Sequence, residues 1–314
     1  MKLSPEIKEI LKADMYGACN KDKYVMLKIK QNLSLDDKIT LTKIRIKEWY
    51  EKFNGNICVS FSGGKDSTVL LHLVRELYPD VPGLFSNTGV EFPEINQFVR
   101  RQKDIIHIRP KYTYKYVTEH YGWPVISKVQ ATSLRKCREQ NLSEAYRNKL
   151  LHGDEKGYAG KISEKNKFLL DAPFKISEKC CDHLKKKPFD IFFKNEKLYP
   201  MSGEMAEEGG TRRLFSYLEY GCNGFGMKVP RSRPLGFWTN DDIWGYLMAT
   251  DTDYCKLYDE GHDRTGCIYC LFGVKPHDEE NRIKKLKTTH PKHFKFFMEK
   301  LGGKRVMDYM EIPY

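Results

Sequence analysis

The segment Ser62-Gly-Gly-Lys-Asp-Ser67 combines glycine, hydroxyl and charged residues in an order that suits phosphate. An apolar run precedes it at 57–61, and apolar residues at helical spacing follow at about 68–78, which predicts a strand, a tight turn and a helix. The two glycines carry no Cβ, so the backbone can turn sharply and approach a ligand closely. The turn opens onto a helix N-terminus, which favours an anion, and Lys65 adds a mobile positive charge. We therefore predict a phosphate-binding loop.

Two pairs of cysteines are the second feature with chemical meaning. The chain has nine cysteines, of which four form the pairs Cys180-Cys181 and Cys267-Ile-Tyr-Cys270. A Cys-x-x-Cys motif alone is shared by zinc, redox and iron–sulfur sites. Adjacent cysteines in an extended stretch point in opposite directions, which favours two irons of one cubane over a single zinc, although in a helical turn this preference is weaker. The pairs favour an iron–sulfur cluster, and a zinc site or unligated thiols remain alternatives.

The spacing of the glycine-rich segment identifies its type. It matches neither the Walker A loop nor the dinucleotide-binding motif. Ser62-Gly-Gly-Lys-Asp-Ser67 resembles the PP-loop of the N-type ATP pyrophosphatases. The resemblance implies that the loop binds the pyrophosphate end of ATP and that the enzyme cleaves ATP between its α- and β-phosphates. A substrate oxygen is then adenylated, and a nucleophile displaces AMP. An ordinary strand–turn–helix is the alternative.

The surroundings of the cysteines resemble those of the iron–sulfur sulfonucleotide reductases. Cys180-Cys-Asp-His-Leu-Lys-Lys-Lys-Pro-Phe189 resembles their Cys-Cys-x-x-Arg-Lys-x-x-Pro-Leu motif, and Thr265-Gly-Cys-Ile-Tyr-Cys270 resembles their later Gly-Cys-x-x-Cys motif. The resemblance implies a [4Fe–4S] cluster, with Lys185 as a nearby cation. The four implied ligands are Cys180, Cys181, Cys267 and Cys270.

Three further segments resemble the phosphoadenosine-phosphosulfate reductase family, and the likeness extends from about Lys43 to Val274. They are Asn87-Thr-Gly-Val-Glu-Phe92, for which a plain turn is the alternative, Tyr199 to Arg213, and Arg231 to Trp244. The resemblance implies catalytic roles for Lys65, Asp66 and Arg212. It implies nucleotide contacts by Ser60, Ser62, Gly63, Gly64, Lys65, Asp66, Ser67, Asn87, Thr88, Gly89, Arg231 and Arg233.

Strand and helix patterns alternate through the first half of the chain, which predicts an α/β fold with a doubly wound, mostly parallel sheet. The resemblance makes it adenine nucleotide alpha hydrolase-like. We expect a helical N-terminal extension at 1–54 and a nucleotide-binding domain at 55–250, with an insertion around 111–179. A cysteine-rich, cluster-binding and helical segment is expected at 251–314.

The composition limits the partners. The 314 residues carry a formal net charge of +12, which suggests a polyanionic partner or several phosphate-bearing ligands, with a solvated lysine surface as the alternative. Apolar runs are too short to span a membrane, and the first residues do not resemble a secretory signal. We therefore expect a cytoplasmic protein without a membrane partner.

Two departures from the reductases guide the functional prediction. Those reductases generally carry a degenerate PP-loop, whereas this loop is complete, and their Glu-Cys-Gly-x-His tail has no counterpart in this sequence. We predict an ATP-dependent sulfurtransferase that uses ATP, Mg²⁺ and a [4Fe–4S] cluster, and a sulfur donor protein or thiol. Its acceptor would be a nucleic-acid base or a small molecule. The alternatives are a sulfonucleotide reductase that takes an external thiol, and a non-catalytic nucleotide- or nucleic-acid-binding module of a modification or defence system.

Overall fold

The computed structural model describes residues 3–15, 20–139, 141–155, 157, 160–208 and 210–314. In these residues the strands are β1 (Ile57–Ser60), β2 (Gly83–Ser86), β3 (Ile105–Ile108), β4 (Val125–Ile126), β5 (Tyr199–Ser202), β6 (Asn223–Gly224), β7 (Arg231–Ser232) and β8 (Leu271–Phe272). The α-helices are α1 (Pro5–Met15), α2 (Asn20–Gln31), α3 (Leu35–Lys52), α4 (Lys65–Leu77), α5 (Pro93–Arg101), α6 (Tyr114–His120), α7 (Lys128–Cys137), α8 (Glu144–His152), α9 (Lys179–Cys181), α10 (Lys187–Glu196), α11 (Thr211–Tyr220), α12 (Asn240–Ala249), α13 (Arg282–Thr289), α14 (Pro291–Glu299) and α15 (Gly303–Tyr309). A π-helical turn covers Asp182–Lys186, and 3₁₀ turns cover Glu164–Asp171 and Lys256–Tyr258.

The main sheet has six strands in the order β3-β2-β1-β5-β7-β6, and β4 pairs with β8 in a separate two-stranded sheet. The strand pairs β1–β2, β1–β5 and β5–β7 are parallel, and the short β6 runs antiparallel to β7. From β1 the chain builds outwards through β2 and β3, and it later returns to the other side of β1 as β5. The predicted α/β fold with a mostly parallel, doubly wound sheet is confirmed.

This order creates a reversal between β1 and β5. In open α/β sheets, ligands bind outside the carboxyl ends of the strands at such a reversal. The predicted phosphate loop follows β1 directly, and Gly203 follows β5 directly. Ser60 at the end of β1 is in register with Ser202 at the end of β5. The topology therefore brings these two loops to one edge of the sheet.

The N-terminal helices confirm the predicted helical extension. The α3 helix begins after Ser34, whose hydroxyl accepts a hydrogen bond from the Asp37 amide at 3.2 Å. Its apolar face is buried, and the Trp49 indole donates to the carbonyl of Tyr199 on β5 at 3.3 Å. The α3 helix of this extension is thus packed onto the sheet.

Two predicted helices differ in extent from the observed ones. The helix after the phosphate loop begins at Lys65, not near residue 68, because Gly64 already serves as its N-cap. The sequence at 130–149 predicts one helical stretch, whereas the structure has two helices, α7 and α8, since the polar sequence Asn141-Leu-Ser143 lies between them and favours a turn.

The chain divides into two compact units. The sheet unit comprises Met1–Phe85, Phe92–Ile108 and Asp190–Thr265, and the cysteine unit comprises Ser86–Glu91, Arg109–Phe189 and Gly266–Tyr314. The whole predicted insertion at 111–179 and most of the C-terminal segment at 251–314 thus belong to one unit. The sequence-based boundaries at 54 and 250 stay a prediction. Among the described helices, none has the length and apolar character needed to cross a bilayer.

Candidate functional site

The phosphate loop of the sheet unit is held in shape by its own hydroxyl groups. The Ser62 amide donates to Ser67 Oγ at 3.2 Å, and the Gly64 amide donates to Ser62 Oγ at 3.3 Å. Ser67 Oγ in turn donates to the Gly64 carbonyl at 2.9 Å, which ties the loop to the first turn of α4. Gly63 has a φ of +74°, and a Cβ there would lie 2.9 Å from Val99 Cγ2, so glycine is required. The loop is pre-formed by local contacts.

Lys65 differs from its predicted state. It was expected to be a mobile cation, but only 3% of the residue is exposed, and its Nζ lies 2.7 Å from Asp66 Oδ1. The reason is its position in the first turn of α4, where the neighbouring carboxylate compensates the buried charge. The adjacent Lys65–Asp66 pair therefore acts as one fixed unit at the helix N-terminus.

Tyr258 is a loop contact that the sequence analysis missed. The Lys65 amide donates to the Tyr258 hydroxyl at 3.0 Å, and Thr265 forms a further side-chain hydrogen bond with it. The ring packs edge-on against Trp244, with centroids 5.5 Å apart. Burial raises the pKa of Tyr258 to about 12, so the phenol keeps its proton at neutral pH. No motif marks this residue, because its role comes from a contact across nearly two hundred positions of sequence.

Gly203 is a second missed residue, although its place directly after a strand was a usable signal. A Cβ on Gly203 would lie 2.8 Å from the Asp66 carbonyl oxygen and 3.0 Å from the Ser67 amide nitrogen. These are backbone atoms of the first turn of α4, which cannot move aside cheaply. Gly203 therefore allows the end of β5 to lie directly against the start of that helix.

The predicted arginines of the sheet unit have different environments. Arg212 and Arg231 are exposed, whereas Arg233 is 5% exposed. Arg233 Nη1 donates to Ser216 Oγ at 2.9 Å, and its Nε has no hydrogen-bond partner within the described ranges. Burial lowers the pKa of Arg233. A small cavity beside it is lined by Arg213 and not by the predicted Arg212.

The loop Asn87-Thr-Gly89 belongs to the cysteine unit and is closed by Glu91. The Glu91 carboxylate accepts hydrogen bonds from the amides of Thr88 and Gly89, both at 3.1 Å, and from the Thr88 hydroxyl. Glu91 also forms an isolated antiparallel bridge with Cys267, and the Ile268 amide donates to the Val90 carbonyl at 2.7 Å. This loop thus supports the second cysteine pair, and its predicted nucleotide contact stays a prediction.

The two cysteine pairs lie in the same unit, and all four members are free thiols. Cys180 and Cys181 are in α9, directly before the π-helical turn. The pair is therefore not extended, and its two side chains diverge by about 100°, as neighbours in a helix do, and do not point in opposite directions. Helical turns of the π type occur frequently at functional sites.

The thiols influence one another electrostatically. The hydrogen bond between Cys180 and Cys181, together with burial, raises the pKa of Cys180, and the same bond lowers the pKa of Cys181. Burial raises the pKa of both Cys267 and Cys270. Coulombic attraction to the thiolate form of Cys267 raises the pKa of the half-buried Lys185, which hydrogen-bonds to that sulfur. Lys185 is therefore a cation held against the cysteines.

The spacing of the sulfurs tests which metal centre these residues could hold. Tetrahedral zinc with Zn–S bonds of about 2.3 Å requires sulfurs about 3.8 Å apart. Within the described part of the chain, no three cysteine sulfurs lie within 4.8 Å of one another. Four thiols that influence one another electrostatically, with a cation beside them and without the close sulfur spacing of tetrahedral zinc, are compatible with a larger iron–sulfur cluster, whose assignment stays a prediction.

Comparisons with known proteins bear on the family. A family model described as the phosphoadenosine phosphosulfate reductase domain matches residues 56–122 and 138–271. An adenosine 5'-phosphosulfate reductase of Bacillus thuringiensis is 24% identical over 232 residues, which are 74% of this chain and 80% of that protein. A solved phosphoadenylyl-sulfate (PAPS) reductase from Candida auris is 15% identical, with a TM-score of 0.42 over 80% of this chain and 97% of that chain.

An uncharacterized protein of Methanocaldococcus jannaschii is 26% identical over 253 residues, which are 79% of this chain. This chain spans 42% of that protein and 50% of a second one from the same organism. The resemblance to the phosphoadenosine-phosphosulfate reductase family is confirmed, and so is the prediction of an enzyme, whereas the iron–sulfur motif stays a prediction. Because the family model covers well over half of the sequence, the chain belongs to the phosphoadenosine phosphosulfate reductase domain family.

Proposed function

We propose that this protein is an ATP-dependent sulfurtransferase that adenylates an acceptor and exchanges its oxygen for sulfur. The observation that carries the proposal is the complete phosphate loop between β1 and α4, pre-formed by the Ser62 and Ser67 hydroxyls. A loop of this kind at a helix N-terminus suits a departing pyrophosphate, because amides and the helix dipole stabilise its charge. The cytoplasmic location expected from the sequence belongs to this proposal, since thiols stay reduced there.

The proposed roles follow from the positions of the side chains. Lys65 stabilises the pyrophosphate leaving group, and Asp66 orients Lys65 or the Mg²⁺ that accompanies ATP. The 2.7 Å contact between them supports a shared role. Arg233 is proposed as an anion contact, which its buried and partnerless Nε supports within the described residues. The further proposed contacts are Ser60, Ser62, Gly63, Gly64, Ser67, Arg212 and Arg231.

The proposed reaction is balanced without an external reductant. The acceptor's carbonyl oxygen attacks the α-phosphorus of ATP, the bond from that phosphorus to its bridging oxygen breaks, and pyrophosphate leaves with the electron pair. Hydrosulfide, delivered already at the oxidation level of sulfide by the donor protein or thiol source, then adds to the activated carbon and loses its proton. AMP departs with the original oxygen, and a C=S bond replaces C=O.

The four cysteines are proposed to hold a [4Fe–4S] cluster. When bound, such a cluster supplies an iron–sulfur centre whose properties depend on hydrogen bonds and charge around its sulfurs. Lys185 would provide that charge, as its contact with Cys267 supports. Glu91, which is bridged to Cys267, would fix the loop that carries this ligand.

A second candidate is a sulfonucleotide reductase that uses an external thiol. The similarity to adenosine 5'-phosphosulfate reductases, at 24% identity, favours it. The two candidates differ in their nucleotide, because a reductase binds a sulfated nucleotide and leaves ATP intact.

The test is pyrophosphate release from Mg-ATP by anaerobically purified protein, with and without transfer RNA or small carbonyl acceptors. We expect pyrophosphate release that the acceptor stimulates. The Lys65→Met variant should lower the rate of this release by about 10²–10³-fold, because it removes the positive charge that stabilises the leaving pyrophosphate. Lys47→Met, at an exposed lysine of α3, is the control and should leave the rate unchanged. Intact ATP with all acceptors, combined with tight binding of adenylyl sulfate, would transfer the assignment to the reductase.

A further inference from the structure

The positive charge of the protein belongs entirely to one unit. The cysteine unit contains 28 lysines and arginines against 16 aspartates and glutamates, which gives +12, and the sheet unit contains 26 of each, which gives zero. If the excess lysines served only to solvate the surface, the larger sheet unit would be expected to carry an excess of them as well. The whole formal charge of +12 therefore lies on the unit that carries the cysteines, where it would attract a polyanion.

A row of stacked rings lies on the surface of this unit. Tyr112 stacks on Tyr116 with ring centroids 4.5 Å apart, and Tyr116 stacks on His120 at 3.8 Å. The three positions are four residues apart along α6 and its approach, so they share one face of the helix. Both tyrosines are half-buried, and His120 at the end of the row is exposed. We call these three residues the ring row.

Exposed lysines border the ring row at both ends. Lys111 Nζ lies 5.5 Å from the centroid of the Tyr112 ring, and Lys175 Nζ donates to the His120 carbonyl at 3.1 Å. Lys115 is exposed on the same helix between them. Aromatic rings flanked by cations are the combination that proteins use to stack unpaired bases while contacting the phosphates beside them.

A second stacked pair connects this surface with the first cysteine pair. Tyr121 stacks on His183 with centroids 4.1 Å apart, and the Tyr112 ring lies 5.6 Å from the same histidine. His183 is two residues beyond Cys181 in the chain. The ring row thus lies beside the helix that carries two of the proposed cluster ligands.

From the charge division and the ring row together, we infer that the cysteine unit binds single-stranded RNA and that the acceptor in the proposed reaction is a base of that RNA. This inference rests on the proposed function and specifies its acceptor. RNA is chosen over DNA because its loops present unpaired bases, whereas a base in duplex DNA must first be unstacked and unpaired.

The test measures binding of a fluorescently labelled, unstructured 20-nucleotide RNA to the full-length protein by anisotropy at several salt concentrations, without ATP. We expect the triple variant Lys111→Gln, Lys115→Gln, Lys175→Gln to weaken binding by about tenfold or more. It should also reduce the slope of log K against log salt by about 2, since each lost phosphate contact changes that slope by about 0.7 for single strands. The matched control removes three exposed lysines of the sheet unit, Lys47, Lys52 and Lys103, in the same way, and should change affinity less than about twofold.

The ring row is tested separately from the charge. Tyr116→Leu should weaken RNA binding by about fivefold or more, because it removes the ring on which His120 stacks, and His120 is the exposed ring of the row on which a base can stack. Tyr116→Phe keeps that stacked ring and should bind like the unaltered protein. The control Phe215→Leu changes an exposed ring of the sheet unit and should have no effect. Circular dichroism of each variant confirms that the fold is retained.

The inference is overturned if the two lysine triples weaken binding equally, if Tyr116→Leu binds as tightly as Tyr116→Phe, or if DNA or duplex RNA of the same sequence binds as well as the single strand. These outcomes are distinct from failure of the proposed function. RNA binding without any pyrophosphate release would overturn the chemistry, and release stimulated by a small acceptor without RNA binding would overturn only the acceptor.

Discussion

In the sheet unit, the candidate phosphate loop is built from residues that are close in sequence, with hydrogen bonds among Ser62, Gly64 and Ser67. In the cysteine unit, the candidate metal centre is built from two distant pairs that a helix, a π-helical turn and the loop at Glu91 bring together. The sheet unit is electrically neutral, and the cysteine unit carries the whole net charge. The comparison teaches that the proposed nucleotide site depends on contacts within one short segment, whereas the proposed acceptor and metal sites depend on side chains from segments far apart in sequence.

The largest effect is expected at the candidate metal centre, which would be held by cysteine side chains alone. Replacing Cys267 by serine removes one of four thiols, and iron per chain in anaerobically purified protein should fall by about tenfold or more. Iron and acid-labile sulfide analysis gives the readout. Cys137→Ala is the control, because Cys137 is a buried free thiol of the same unit outside the four. Stoichiometric zinc in the unaltered protein would instead restore the zinc alternative.

The next prediction concerns backbone geometry. Gly203→Ala places a Cβ 2.8 Å from the Asp66 carbonyl oxygen, so it should lower the free energy of unfolding by about 1–3 kcal/mol and weaken ATP binding. Urea unfolding and calorimetry measure the two effects. Gly226→Ala is the control, since a Cβ there meets no atom of the described chain within 4 Å. Equal losses in both variants would mean that the close approach at Gly203 has no special cost.

A smaller effect is expected at the contact that covers the loop. Tyr258→Phe removes the hydroxyl that accepts from the Lys65 amide, which frees this donor for phosphate. The Kd of Mg-pyrophosphate should fall by about fivefold, which corresponds to one hydrogen bond of about 1 kcal/mol. Tyr254→Phe removes a hydroxyl that binds Asp259 instead, and serves as the control. Weaker pyrophosphate binding by Tyr258→Phe would indicate that the phenol donates to the ligand.

The smallest effect is a pH dependence of stability at Glu76 in the sheet unit. Burial raises the pKa of Glu76, but hydrogen bonds with Lys43 and Tyr246 outweigh it, and the net pKa is lowered. A lowered carboxyl pKa stabilises the fold above the unfolded value of about 4.3, and this stabilisation is lost as pH falls through the folded pKa. Glu76→Gln should therefore lower the free energy of unfolding by about 0.5–1 kcal/mol at pH 7, a range that already allows for solvent screening. The loss should be smaller near pH 3, where the carboxylate of the unaltered protein becomes protonated. Urea unfolding at both pH values checks this, with the exposed Glu51→Gln as control. A cost that does not change with pH would contradict it.

Much of the fold could be predicted because the signals are local. The strand and helix around the phosphate loop, the cap at Ser34 and the capping box between Thr239 and Asp242 are each encoded within a few residues. The prediction that Lys65 is a mobile cation was wrong. The sequence shows that Asp66 is its neighbour, but it does not show that Lys65 is buried and held in an ion pair with that aspartate. The helical geometry of Cys180 and Cys181 was likewise not readable from their adjacency.

By itself, the sequence determined the loop, the two cysteine pairs and the alternation of strands and helices, because residue type and short-range spacing encode backbone conformation. Only the tertiary structure decided that Tyr258 covers the Lys65 amide, that Gly203 lies against the start of α4, and that Glu91 supports Cys267. It also decided that all of the net charge falls on one unit. These features arise when segments far apart in sequence pack together, and no local pattern specifies which distant residues will meet.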